Sequence, residues 1–121
     1  MDWLNKYVNG WKNKDLEKLA ELFEKSVEYH EEPFDGDIGD LELATVKSSL
    51  KSEMAFMNNL SYTDTELVAI DGVTHVARIR YSYNFNNDKS KTEAEDIIIF
   101  RLSSSGLCSF FYRVPFLKQW K

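Results

Sequence analysis

Apolar and polar positions alternate along the second half of this chain. Thr74–Phe85 and Thr92–Leu102 both follow a period of two, and the turn-rich Asn86-Asn87-Asp88-Lys89-Ser90-Lys91 lies between them. The pattern predicts a long antiparallel hairpin. Ala77, Ile79, Tyr81, Tyr83 and Phe85 share one face of its first arm; Thr92, Ala94, Asp96, Ile98, Phe100 and Leu102 share one face of its second. With the turn centred near Asp88-Lys89, Tyr81 is expected opposite Asp96 and Ile79 opposite Ile98. One acid, Asp96, then sits on a mostly apolar face.

Before the hairpin the period is that of helices. Trp3, Leu4, Tyr7, Val8 and Trp11 form an aromatic stripe on a first helix over Asp2–Lys12. Asp15 is the expected N-cap of a second helix that ends near Lys25, with Leu16, Leu19, Ala20, Leu22 and Phe23 on its buried face. A short strand, Val27–Glu31, is stopped by Glu32-Pro33 because proline lacks a backbone donor. Asp40 is the expected cap of a third helix reaching Asn59, in which Leu43, Val46, Leu50, Met54 and Met57 recur at spacings of three and four. Asp71-Gly72 then joins Tyr62–Ile70 to Val73–Phe85 in a tight turn requiring positive φ, and Leu107–Val114 is a last strand stopped by Pro115. Helices first and strands last predict an α+β domain with the helices on one face of a bent antiparallel sheet.

The 121 residues suit a single domain over 1–121, and nothing in the chain repeats. A net charge of −5, with Lys and Arg interspersed among acids, argues against nucleic acid. No apolar run reaches membrane-spanning length and the start lacks the pattern of a signal peptide, so no membrane partner is expected. The single Cys108 cannot form an internal disulfide; it is expected as a small core residue in a cytoplasmic protein. The loop Phe34–Gly39 with Asp40 has fragments of a calcium loop without its ligand spacing, and no metal or other cofactor is expected.

Several short patterns, in order, resemble the nuclear transport factor 2-like superfamily in its SnoaL-like and ketosteroid isomerase-like branches. They are Tyr7-Val8, Trp11 and Asp15-Leu16; Leu22-Phe23 leading into Val27-Glu28-Tyr29-His30-Glu31-Glu32-Pro33; Leu67-Val68-Ala69-Ile70-Asp71-Gly72; and Phe100-Arg101-Leu102 before Gly106-Leu107-Cys108. The resemblance covers nearly the whole chain. It implies a cone, an α+β barrel, in which three N-terminal helices pack in a strongly curved sheet whose concave side encloses a ligand pocket. It also implies a tyrosine on the first helix, matched by Tyr7, and a carboxylate before proline, matched by Glu32. A third, an acid on the hairpin, is implied at Ile98, with Asp96 two residues earlier on the same face.

A carboxyl on an apolar concave face is held neutral or poised near pH 7 by desolvation, which suits a hydrogen-bond donor or a general base. Asp96 fits this; the alternative is a core acid satisfied by Tyr81, Tyr83, Tyr7 or Trp11. His30 is a proton acceptor at the pocket mouth or a half-buried residue paired with a neighbouring Glu. Glu32 and Tyr7 complete the catalytic candidates. Trp11, Met54, Met57, Ile79, Tyr81, Tyr83, Ile98 and Phe100 are the expected pocket lining for a small apolar organic ligand, although the two methionines read more readily as core filling. On the hairpin's other face Arg78, Arg80, Ile97 and Ile99 mix charge with apolar surface, which predicts a homodimer interface. Two functions are open: proton-transfer chemistry of isomerase, cyclase or hydratase type, or a non-catalytic ligand-binding or dimerisation module. Simple pairing through Asp71-Gly72 puts Asp64 and Glu66 on the inner face unless a bulge shifts the strand.

Overall fold

The computed structural model describes residues 2–31, 40–86 and 88–117. The elements, in chain order, are α1 (Asp2–Lys12), α2 (Leu16–Ala20), β1 (Phe23–Glu31), β2 (Asp40–Glu42), α3 (Leu43–Met54), β3 (Met57–Ala69), β4 (Thr74–Phe85), β5 (Lys91–Leu102) and β6 (Cys108–Leu117). The strands form one sheet in the order β2-β1-β6-β5-β4-β3. It is open, with β2 and β3 at its edges, and every pair is antiparallel except β1–β6, which is parallel. The helices cover one face. Trp3, Leu4, Tyr7 and Trp11 of α1 and Val46, Leu50 and Met54 of α3 pack with Ile79, Ile98, Phe100 and Phe111 of the sheet in one core. Gly10 lets α1 approach α2 closely, since a Cβ there would stand 2.7 Å from the buried Leu19 side chain.

Several boundaries differ from the sequence expectation, each for a local reason. Asp15 does cap α2, its Oδ1 accepting from the Lys18 amide, but the helix ends at Ala20, and Leu22-Phe23 are not helical. The Leu22 carbonyl is instead taken by the Trp3 indole at 2.9 Å and the Cys108 amide at 2.8 Å, which anchors the start of β1 beside β6. Asp40 begins the short β2 rather than capping a helix, and α3 starts at Leu43 and stops at Met54, so Met57 opens β3. β6 runs through Pro115: β1 is paired with it only as far as Arg113, so proline sits where β5 is the described neighbour. Glu32, Pro33 and the loop Phe34–Gly39 lie outside the described residues.

Two hairpin registers also differ. Asp71 Oδ1 accepts from the amides of Val73 and Thr74, and no positive φ occurs at Gly72; the connection closes on Ala69↔His75 as a longer loop. That longer loop pairs Glu66 with Arg78 and Asp64 with Arg80, so both acids lie on the outer face. A bulge between Tyr62 and Asp64 then returns Tyr62 to the inner face opposite Tyr81. In the central hairpin the pairs are Ile79↔Asp96, Ala77↔Ile98 and Tyr81↔Ala94, two residues from the expected register. Asn86 at φ 51° and the bond from the Asp88 amide to the Phe85 carbonyl turn the chain earlier than Asp88-Lys89. A slip of two preserves the faces, so every inward residue stays inward.

Candidate functional site

The inner face of three neighbouring strands and one helix bring charged groups together inside the apolar core. Asp96 points inward from β5, Arg113 from β6 beside Phe111, and Glu31 from β1 beside Tyr29; Glu53 projects from the last turn of α3. Arg113 is 5% exposed and is the hub. Its Nε donates to Asp96 Oδ2 at 2.8 Å, and its Nη1 donates to Glu31 Oε1 and to Glu53 Oε1, each at 2.6 Å. Tyr81 donates its hydroxyl proton to Asp96 Oδ1 at 2.8 Å, diagonally across the β4–β5 pair. Tyr29 lies over Glu31 with its hydroxyl 3.4 Å from Oε2, and the Trp11 ring faces the guanidinium with its centroid 5.9 Å from Cζ.

Three carboxyl groups thus share one guanidinium, which is two positive charges short of balance if all three are ionised. Burial of unbalanced charge is expensive, so protonation is the relief available to the cluster. Desolvation, together with the hydrogen bond and charge of Glu53, pushes Glu31 up to about 8. Asp96 is also raised by desolvation, against the opposing pull of Arg113 and Tyr81. Burial alone would lower Arg113, but the charges of Asp96 and Glu53 hold it above its ordinary value. The phenols of the buried Tyr7, Tyr29 and Tyr81 and of the half-buried Tyr62 are raised by desolvation and stay protonated. The arrangement can therefore hold a proton near neutral pH on a carboxyl inside an apolar shell, which is what general acid–base chemistry requires.

Of the residues singled out in the sequence, Asp96 and Tyr81 enter this cluster directly, and Trp11 lies against Arg113. Tyr7 is buried in the same region, packed edge-on against Trp11 at 6.4 Å. Met54, Met57, Ile79, Tyr83, Ile98 and Phe100 are all packed in the core, and Phe100 stacks on Trp3 at 4.5 Å. His30 is elsewhere. It points from the opposite face of β1 towards Phe110 and Tyr112, with Nε2 3.0 Å from Glu28, so the sheet separates it from Asp96. Cys108 is fully buried and its thiol is pushed up to about 12 by desolvation, as suits a core residue.

The sequence reading missed Arg113, Glu31 and Glu53. The signal was there for all three: Arg113 alternates with Phe111, Glu31 with Val27 and Tyr29, and Glu53 follows Val46 and Leu50 at helical spacing. The alternation argument that picked out Asp96 finds Arg113 and Glu31, and its helical counterpart finds Glu53. Apart from this cluster, a cleft of about 790 Å³ opens between α1, α2 and the turn after β5, lined by Lys6, Asn9, Asp15, Lys18 and Leu107 among others. None of the cluster residues lines it.

No family model matches the sequence, and no curated protein matches it. The match lies in three dimensions. A steroid delta-isomerase from Pseudomonas aeruginosa superposes with a TM-score of 0.70 at 15% identity, over 98% of this chain and 80% of the other. The chain has a ketosteroid isomerase-like fold. A protein of this fold from Catenulispora acidiphila, in complex with trimethylamine, gives a TM-score of 0.77 at 11% identity, over 92% of this chain and 82% of that one. AusH from Aspergillus nidulans gives 0.71 at 15% identity, over 94% and 83%. Arg113, Glu31 and Glu53 are thus held on a ketosteroid isomerase-like scaffold, on the face of its sheet that the helices cover.

Proposed function

We propose that this chain takes a small apolar organic molecule between its helices and the inner face of the sheet and catalyses a proton transfer on it, of isomerase, cyclase or hydratase type. The observation that carries the reading is the convergence of Glu31 and Glu53 on one nitrogen of a buried arginine already paired with Asp96. Such a cluster holds an exchangeable proton in low dielectric, where acid–base groups act most strongly. The steroid delta-isomerase among its structural neighbours belongs to the same reaction class. Asp96, Glu31 and Glu53 are the acid–base groups of this proposal, with Tyr7 and Tyr81 as phenol donors; Glu32 stays a candidate by its position before Pro33, and His30 serves at most the outer face.

The test is deuterium incorporation from D2O into a panel of small apolar carbonyl and polycyclic compounds, followed by NMR. The full chain is expected to label or convert at least one compound, and Glu31→Gln to abolish this while ligand binding persists. Binding without labelling or conversion in the full chain would leave the other function, a non-catalytic binding module. One observation favours that second reading: both Asp96 oxygens are already engaged, one by Tyr81 and one by Arg113.

The outer face of the central hairpin supports a homodimer. Ile99 is 37% exposed there opposite Val76, and Ile97 on the same face lies opposite the ion-paired Arg78. Light scattering after size exclusion checks it, and a monomeric mass at high concentration removes it. No helix among the described residues is long and apolar enough to cross a membrane; a reducing cytoplasm is the compartment we propose, from the single cysteine.

A further inference from the structure

Two polar atoms of side chains that contact Arg113 are buried and lack a hydrogen-bond partner among the described residues: Trp11 Nε1 and Glu53 Oε2. Trp11 is only 3% exposed, and its ring lies against the guanidinium. Glu53 reaches the same guanidinium from α3 through its other oxygen. Buried orphans of this kind are costly, so a folded chain rarely keeps two on side chains that contact one guanidinium without something to satisfy them. The indole of Trp3 on the same helix shows the usual outcome, with its Nε1 bonded to the Leu22 carbonyl at 2.9 Å. Trp11 is the one of this pair left without an acceptor.

One orphan is a donor and the other an acceptor, and the chemistry of a shared partner follows from that. A carbonyl satisfies Trp11 but gives Glu53 nothing. An ammonium satisfies Glu53 but meets the indole N–H donor to donor. A carboxylate accepts from Trp11 but brings a further negative charge to a cluster that already has three carboxyls for one guanidinium. A hydroxyl does both, accepting through its oxygen lone pair and donating its proton. We infer that the ligand carries a hydroxyl at its polar end, held between the Trp11 indole N–H and Glu53 Oε2. The inference rests on the small-ligand reading above and specifies the group by which that ligand is recognised.

Cyclohexanol, cyclohexanone, cyclohexylammonium and cyclohexanecarboxylate share one ring and differ in the polar group. Each is titrated into the full-length ¹⁵N-labelled chain, and the indole N–H resonances are followed, that of Trp11 being assigned by its loss in Trp11→Phe. Cyclohexanol is expected to shift the Trp11 resonance saturably and to bind at least tenfold tighter than the other three. Trp11→Phe, which keeps an aromatic ring, and Glu53→Leu are each expected to weaken cyclohexanol to the level of the ketone, with circular dichroism confirming that both variants fold. Equal affinity for the ketone, the ammonium or the carboxylate overturns the hydroxyl while leaving a ligand-binding interior intact. A Trp11 N–H that contacts a long-lived water and responds to none of the four overturns it too, and takes the small-ligand reading with it.

Discussion

Asp96 and Glu95 are neighbours on β5 and each is paired with arginine, yet the two pairs live in different solvents. Asp96 meets Arg113 at 2.8 Å with both side chains under a tenth exposed. Glu95 meets Arg80 at 3.4 Å and Arg78 at 3.8 Å on the outer face, where those arginines are more than a third exposed. On the outside, water screens the charges and solvates whichever partner is left alone, so such pairs contribute little. On the inside no such refuge exists, and the same chemistry becomes a constraint on folding and a source of shifted protonation. One step along a strand separates structural decoration from a candidate site.

The sharpest way to break this contrast is Arg113→Met. It leaves Asp96, Glu31 and Glu53 buried without a cation, and breaking a buried pair in this way costs about 3–5 kcal/mol. The loss is expected to be greatest at neutral to alkaline pH and to shrink towards pH 4, where the orphaned carboxyls accept protons. Chemical denaturation across pH measures it. A variant as stable as the parent at pH 7 would mean that the carboxyls do not depend on the guanidinium.

A smaller effect comes from Glu31 alone. Its value in the folded chain is about 8, above the ordinary 4.5, because burial and Glu53 favour the neutral form. Between those two pH values the folded chain keeps a proton that the unfolded chain releases, so this contribution is complete below pH 4.5 and is lost as pH rises through 8. Stability is therefore expected to decline across that window by a few kcal/mol, each tenfold difference in proton affinity being worth about 1.4 kcal/mol. Glu31→Gln should flatten the decline. If the parent chain is equally stable at pH 5 and pH 8, Glu31 does not hold the proton.

Much of the fold was legible because alternation is read directly from residue types. β4, β5 and the aromatic stripe of α1 follow from apolar spacing, and a two-residue slip in hairpin register could not disturb which side chains face inward. The resemblance placed the rest of the architecture. What failed were positions decided by backbone partners distant in sequence: Leu22 leaves its helix because Trp3 and Cys108 claim its carbonyl. Asp64 and Glu66 turn outward because Asp71 closes a longer loop. At the site, Asp96 stood out as a lone acid on a greasy strand face, whereas Arg113, Glu31 and Glu53 were not singled out. The parallel pairing of β1 with β6 is what brings Glu31 to Arg113, and the packing of α3 brings Glu53; no local pattern announces a parallel neighbour separated by most of the chain.

The smallest effect belongs to the outer face. Arg80 bonds Glu95 at 3.4 Å and Asp64 at 3.6 Å, but all three sit at the boundary with water. Arg80→Ala is expected to cost no more than about 1 kcal/mol, and the difference from the parent should narrow at high salt, since exposed charges are screened within about 10 Å at 0.1 M. Thermal unfolding of the two proteins in low and high salt tests this. A loss as large as that of Arg113→Met, insensitive to salt, would mean that the outer ion pairs are themselves shielded from water. A second copy of the chain seated over Ile97 and Ile99 would shield them in just that way, and the loss should then depend on protein concentration.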